Sequence, residues 1–162
     1  MAEALDSYCQ LLKQNKSVVK ISQTLEEFFM VEQTSLNLPF FSSKVAAGVP
    51  FAADENIDSY LDLNTHLVSK PTTTFFVKAS GDSMILAGIN DGDILIVNRS
   101  IEAKNGSIVI AVLNSELTVK KLKIGERVCY LMPENPSYEP IEITSEMDFI
   151  VWGGVTSVIH QF

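Results

Sequence analysis

The sequence predicts a mainly β protein, in which an N-terminal arm with short helices precedes a C-terminal β-domain built as a barrel or folded sheet. Short runs rich in Val, Ile, Phe and Thr recur from about residue 71 onward, as in successive strands. Turn-forming pairs such as Asn105-Gly106 separate these runs. Hydrophobic residues make up 46% of the 162 residues, which is enough to form a core.

Each predicted element follows from a local pattern. The predicted strands are 75–79, 94–98, 107–113, 117–122, 128–132 and 149–158. Residues 2–14 and 18–33 are predicted to be helical, because apolar side chains of the second stretch recur at helical spacing. Residues 37–70 contain two prolines and little periodicity, which predicts an extended, mobile arm and linker. We therefore divide the chain into a helical segment, 1–36, which could be part of a larger domain, the arm, 37–70, and the β-domain, 71–162.

Charge and composition indicate a cytoplasmic chain that binds proteins. The net charge of −8 divides into −1 for residues 1–47 and −7 for residues 48–162. Such an acidic body disfavours direct DNA binding by residues 48–162. No run approaches the roughly 20 apolar residues that span a membrane, and the start does not resemble a signal peptide. Cys9 and Cys129 are far apart, which is typical of a reduced protein without disulfides.

Ser83 is a candidate nucleophile in the segment Ala79-Ser80-Gly81-Asp82-Ser83-Met84, which follows a predicted strand. A turn that contains glycine can project a hydroxyl and aim neighbouring backbone N–H groups at the same point, as an oxyanion requires. A serine in a turn more often caps or hydrogen-bonds the backbone. The segment alone therefore nominates Ser83 without establishing its role.

Lys120 is a candidate general base. Side chains alternate between two faces of a strand, so Thr118, Lys120 and Leu122 share one face and Lys121 lies on the other. One of the two lysines is thus expected to face the interior, where burial lowers the pKa of an amine. A neutral amine can take the proton of a serine hydroxyl. The simpler interpretation is a pair of solvated lysines on an edge strand.

Other chemistries have less support in the sequence. His66 and His160 have no obvious Asp partner, so a Ser-His-Asp triad is possible but unsupported. The two histidines and two cysteines lack metal-ligand spacing, and the glycines form no phosphate-binding loop. We therefore expect no metal and no cofactor.

The segment Val45-Ala46-Ala47-Gly48-Val49-Pro50 places small residues in the arm. Small side chains let a backbone enter a narrow cleft and bend sharply. The segment is either an ordinary hinge or a cleavage site.

Together these segments resemble the LexA/UmuD family of self-cleaving Ser-Lys proteases (peptidase S24) of the bacterial SOS response. The matching blocks are Val45–Gly48, Ser80–Met84, Gly88–Asp93, Gly106–Ala111 and Thr118–Leu122. They occur in family order, with 35 residues from Gly48 to Ser83 and 37 from Ser83 to Lys120. The resemblance covers roughly residues 38–162.

The resemblance implies a LexA-like β-domain and a specific reaction. Ser83 would be the nucleophile, Lys120 the general base, and the backbone N–H groups of Asp82 and Ser83 the oxyanion hole. The bond cut would be Ala47–Gly48. The resemblance also implies stimulation by a RecA filament on single-stranded DNA, and a homodimer formed through the C-terminal strand near residues 152–158.

Within the family, residues 75–85, 118–122 and the tail from 151 look more like UmuD than LexA. This implies that the cleaved form assists an error-prone, UmuC-like polymerase subunit in translesion DNA synthesis. Two features depart from UmuD: the scissile pair Ala47–Gly48 is LexA-like, and the arm before the cut is longer. The alternative is a LexA-like transcriptional repressor inactivated by self-cleavage, although residues 1–36 are short and acidic for a winged helix. A signal peptidase shares the Ser-Lys chemistry but normally needs a membrane anchor, which the sequence does not predict.

Overall fold

The structure is a computed structural model that describes residues 35–41, 59–126 and 128–162. The described residues belong to two compact units, one ending at Ser69 and one running from Lys70 to Phe162. The predicted helices and the predicted cleavage pair Ala47–Gly48 lie outside the described residues. The predicted domain boundaries therefore stay predictions. None of the helices in these ranges is long and apolar enough to cross a membrane.

The first unit contains a strand pair and a short helix. Strand β1 (Leu38–Phe40) pairs antiparallel with β2 (Ser59–Leu61), so that Phe40 lies opposite Ser59. Helix α1 (Leu63–Leu67) follows, and the carboxylate of Asp62 caps it by accepting a hydrogen bond from the Asn64 backbone N–H at 2.9 Å. The sequence predicted none of these elements, because such short segments do not reveal a period.

The second unit is a seven-stranded antiparallel sheet, which confirms the prediction of a mainly β protein. Its strands are β3 (Thr74–Lys78), β4 (Ile94–Asn98), β5 (Ile108–Leu113), β6 (Glu116–Ile124), β7 (Cys129–Met132), β8 (Ile141–Ile143) and β9 (Phe149–Ile159). Their order across the sheet is β3-β4-β9-β5-β6-β7-β8. Six of the seven strands lie close to their predicted bounds, and β8 was missed because three residues are too few to show alternation.

Strand β9 is bent, and its two ends pair with different strands of the sheet. Its residues 149–154 pair with β5, whereas residues 154–159 pair with β4. The register shifts by one residue in each pairing, at Trp152 and at Thr156, and such bulges bend and twist a strand. A Cβ atom at Gly153 would lie 2.7 Å from Val97 Cγ1, so any side chain at this crossing would force a neighbour to shift.

The core occupies both faces of the sheet at β5. Ile110 belongs to a cluster with Met84, Ile89 and other buried side chains, whereas Val109 and Ala111 belong to a second cluster. This two-sided burial explains why β5 is a continuous apolar run. Met84 and Ile89 come from the connection between β3 and β4, so the core also anchors that connection.

Candidate active site

Ser83 lies in the connection between β3 and β4. The base of this loop is closed by the Gly92 N–H, which donates to the Ala79 carbonyl at 3.0 Å. The Gly81 N–H donates to the carboxylate of Asp91 at 2.7 Å. Gly81 has a φ of 86°, in the left-handed region that favours glycine, so the chain turns two residues before Ser83.

Buried neighbours fix the backbone around Ser83. Met84, the next residue, is 1% exposed and packs in the first core cluster. Ile89, near the end of the same loop, is buried to the same extent. Ser83 itself is half-buried. The loop is therefore held by its apolar side chains while the serine hydroxyl stays accessible.

The structure brings Lys120 to Ser83. Lys120 lies in β6 and is 8% exposed, and its Nζ is 2.8 Å from Ser83 Oγ. As the alternation predicted, Thr118 shares its face, with Oγ1 3.1 Å from the amine. Burial lowers the pKa of Lys120 below that of an ordinary lysine. Lys121 lies on the other face, where it forms a 2.8 Å ion pair with Glu134.

The three contacts of the Lys120 amine suit a neutral lysine. The Val119 carbonyl oxygen, 3.0 Å away, can only accept a hydrogen bond, and Thr118 Oγ1 can accept a second. A neutral amine has two N–H donors and one lone pair, so the lone pair is left for the Ser83 hydroxyl. An ammonium would donate to all three oxygens. The same geometry thus serves both states, and a proton can pass from Oγ to Nζ without rearrangement.

The predicted oxyanion donors are the backbone N–H groups of Asp82 and Ser83. The carbonyl oxygen of Asp82 accepts from the Ile85 N–H at 3.2 Å, and that of Ser83 accepts from the Glu134 N–H at 2.8 Å. Neither the Asp82 N–H nor the Ser83 N–H donates to a protein acceptor among residues 59–126 and 128–162. The bond to the Asp82 carbonyl therefore orients the peptide that carries the Ser83 N–H, one of the two predicted donors.

His160, which lies in the same unit as Ser83, contacts a different side chain. His66 lies in α1, in the other unit. The expectation that His160 lacks an Asp partner was wrong: its Nδ1 is 2.6 Å from the buried carboxylate of Asp93. The pKa of Asp93 is lowered by a hydrogen bond from the Asn90 N–H and by its contact with His160. Within the described ranges, the side chain that contacts Ser83 Oγ is that of Lys120.

Sequence reasoning missed the contacts made by the segment 133–138, which lies between β7 and β8. Tyr138 Oη donates to Asp82 Oδ1 at 2.5 Å, and Asn135 Nδ2 donates to the Asp82 carbonyl oxygen at 3.0 Å. A tyrosine and an asparagine in a proline-rich loop carry no sequence signal that distinguishes them from ordinary turn residues.

A serine hydroxyl in contact with a buried amine, on a β-sheet domain, is an arrangement suited to a serine peptidase. Comparison with known proteins agrees with this class. The family model described as Peptidase S24-like matches residues 39–156, more than half of the chain. The chain therefore belongs to the peptidase S24-like family, the SOS-related self-cleaving serine proteases of the LexA/UmuD type.

Individual relatives agree with this membership. Protein ImpA of Salmonella typhimurium is 37% identical over 129 residues, which cover 76% of this chain and 83% of ImpA. The LexA repressor of Stenotrophomonas maltophilia is 42% identical over 118 residues, 73% of this chain and 55% of the repressor. LexA repressor 2 of Xanthomonas oryzae pv. oryzae is 41% identical over 123 residues, 76% of this chain and 57% of the repressor. The chain thus spans a little over half the length of these repressors.

Proposed function

We propose that this protein cleaves its own backbone between Ala47 and Gly48, with Ser83 as nucleophile and Lys120 as general base. One observation carries the proposal: a lysine amine that is buried and lies 2.8 Å from the serine hydroxyl. Burial favours the neutral amine, which is the form that can accept a proton. Membership of the peptidase S24-like family supports the same chemistry.

The reaction proceeds in two halves. Lys120 removes the proton of the Ser83 hydroxyl while Oγ attacks the carbonyl carbon of Ala47. The N–H groups of Asp82 and Ser83 stabilise the negative charge that forms on the carbonyl oxygen. The Lys120 ammonium then protonates the amine of Gly48 as the peptide bond breaks. Water, deprotonated by the same lysine, finally hydrolyses the ester between Ala47 and Ser83.

A weak nucleophile–base pair suffices because substrate and catalyst belong to one molecule. Holding reactants together in the right geometry corresponds to effective concentrations on the order of 10⁵–10⁸ M. The rate then depends on how often the segment carrying Ala47–Gly48 occupies the site, and this equilibrium is the natural point of control. By analogy with the family, we propose that a RecA filament on single-stranded DNA favours occupancy.

Cleavage would also weaken the attachment of the amino-terminal product, residues 1–47, to the rest of the protein. The proposed cut falls in the segment 41–58, whose ends are joined by the pairing of β1 with β2. After the cut, this three-residue pairing would be a noncovalent link between residues 1–47 and 48–162. A two-stranded pair with exposed side chains is marginally stable in water. The product 48–162 retains β3 to β9 and should remain folded.

We further propose that the product forms a homodimer and assists an error-prone, UmuC-like polymerase subunit in translesion DNA synthesis. A dimer through the C-terminal strand is supported by the pairing of β9, because residues 155–159 have a strand neighbour on one side among the described residues. Sedimentation equilibrium of residues 48–162 tests the dimer, and co-purification with the polymerase subunit tests the partner. A monomer, or a failure to co-purify, would refute the respective proposal.

A LexA-like repressor is the second candidate, favoured by the 41–42% identity to LexA repressors. In that case cleavage would separate a DNA-binding segment from the β-domain. A gel-shift experiment with the full chain and DNA from SOS promoters distinguishes the two roles. A specific shift that disappears on cleavage supports the repressor, whereas its absence supports the polymerase role.

The central experiment is an intact-mass measurement after incubation with RecA, single-stranded DNA and a nucleotide. We expect two fragments, one ending at Ala47 and the other starting at Gly48. Ser83→Ala and Lys120→Ala should each abolish the fragments while the circular dichroism spectrum stays that of a folded β protein. An intact chain under these conditions, or cleavage at a different bond, would refute the proposal.

A further inference from the structure

The loop that carries Ser83 is fastened to a second loop, residues 133–138, which we term the clamp loop. The Glu134 N–H donates to the Ser83 carbonyl oxygen at 2.8 Å, and the Leu86 N–H donates to the Glu134 carbonyl oxygen at 2.9 Å. The Glu134 side chain forms its ion pair with Lys121, the neighbour of Lys120. The clamp loop therefore touches both the segment of the nucleophile and the strand of the base.

Two side chains of the clamp loop converge on Asp82. Tyr138 Oη donates to Oδ1 at 2.5 Å, and Asn135 Nδ2 lies 3.3 Å from Oδ2 and 3.0 Å from the backbone carbonyl oxygen. That carbonyl belongs to the peptide whose N–H is the Ser83 N–H. Contacts to the side chain and the carbonyl of Asp82 thus fix the plane of the peptide that leads into Ser83.

These contacts do not serve the hydrophobic core. Asp82 and Tyr138 are both exposed, so neither side chain is held in place by burial. An exposed carboxylate would be well hydrated without the tyrosine. These hydrogen bonds therefore restrict the orientation of the Asp82–Ser83 peptide and contribute little to global stability.

We propose that Tyr138, together with Asn135, is a positioning residue for self-cleavage, which holds Asp82 so that Ser83 Oγ points at the Lys120 amine. This proposal rests on the proposed Ser-Lys function. Its hydrogen bond is suited to the reaction, because the contact with Asp82 raises the pKa of Tyr138 above 10.0. The phenol thus keeps its proton, and its role as a hydrogen-bond donor, to a higher pH than an ordinary tyrosine.

The chain offers a matched control for removing this hydroxyl. Tyr130 Oη donates to the carboxylate of Glu142 at 3.1 Å, which is the same type of bond between β7 and β8. Tyr138→Phe and Tyr130→Phe therefore delete equivalent groups, the first at the clamp loop and the second away from it. Two rates are measured in the full chain: self-cleavage at alkaline pH and labelling of Ser83 by a fluorophosphonate.

We expect Tyr138→Phe to slow both rates by about tenfold, the effect of losing one hydrogen bond to a charged acceptor. The midpoint of the pH–rate profile should not move, because Lys120 keeps its surroundings. Tyr130→Phe should stay within about twofold of the wild type for both rates. In an Asp82→Ala background, which is itself slowed, Tyr138→Phe should have little further effect, since the two groups act through one contact.

Wild-type rates in Tyr138→Phe would overturn the proposal. So would equal slowing by both tyrosine variants accompanied by equal losses of thermal stability, because that pattern indicates a general structural role. If the wild type neither cleaves nor reacts with the fluorophosphonate, the proposed function fails and this inference fails with it. The labelling of the wild type thus separates the two failures.

Discussion

Raising the pH from about 7 to about 10 should accelerate self-cleavage of the full chain without any activator. The base is the neutral form of Lys120, and its population below the pKa grows about tenfold for each pH unit. A plot of log rate against pH should therefore rise with a slope of about one. Because burial lowers the pKa of Lys120, the plateau should begin below the 10.5 of an ordinary lysine.

The assay follows the appearance of residues 48–162 by intact mass or gel electrophoresis. Lys120→Arg should abolish the pH-dependent reaction, since a guanidinium stays charged throughout this range. Lys121→Arg is the matched control: it keeps the positive charge beside Glu134, so its profile should follow the wild type. A flat or falling profile, a plateau that begins above 10.5, or an active Lys120→Arg variant would refute a lysine base.

The remaining predictions concern stability, measured by urea unfolding. Lys120→Met should raise the free energy of unfolding by about 0.5–2 kcal/mol near neutral pH. The lowered pKa of Lys120 means that the folded state disfavours the charged lysine at neutral pH. The gain in unfolding free energy should therefore shrink as the pH rises toward 10.5. A variant less stable than the wild type at neutral pH would contradict this reasoning. Gly153→Ala should lower the free energy of unfolding by about 1–3 kcal/mol, because its Cβ atom would clash with Val97. Gly154→Ala is the control and should lower it less, because its Cβ atom would make ordinary contacts of 3.4 Å or more. Equal losses in the two variants would contradict this explanation. Leu131→Ala, at a fully buried position, should cost about 2–5 kcal/mol, and a loss below about 1 kcal/mol would contradict its place in the core.

Several features of the protein follow from the sequence because they depend on local patterns. Alternation of apolar residues located most strands of the sheet, and it assigned Lys120 and Lys121 to opposite faces of β6. Five ordered motifs identified the family, which the comparisons confirm. The short elements β1, β2, β8 and α1 escaped prediction because three to five residues carry too little periodicity.

The candidate active site likewise depends partly on local sequence patterns and partly on tertiary contacts. Sequence reasoning nominated Ser83 and Lys120 separately, and the family's spacing suggested that they belong together. Their 2.8 Å contact joins residues 37 positions apart, and depends on how the β3–β4 loop meets strand β6. The contact of Asp93 with His160 spans 67 positions, and that of Asp82 with Tyr138 spans 56. No local pattern encodes such pairs.

The sequence by itself thus determined the strands, the faces they present and the residue types that chemistry requires. The tertiary structure decided which of those side chains meet, because the two bulges bend β9 between β5 and β4 and the core anchors Met84 beside Ser83. Periodicity reflects the geometry of a single strand, whereas the distance between two side chains depends on register, bending and loop closure across the whole sheet.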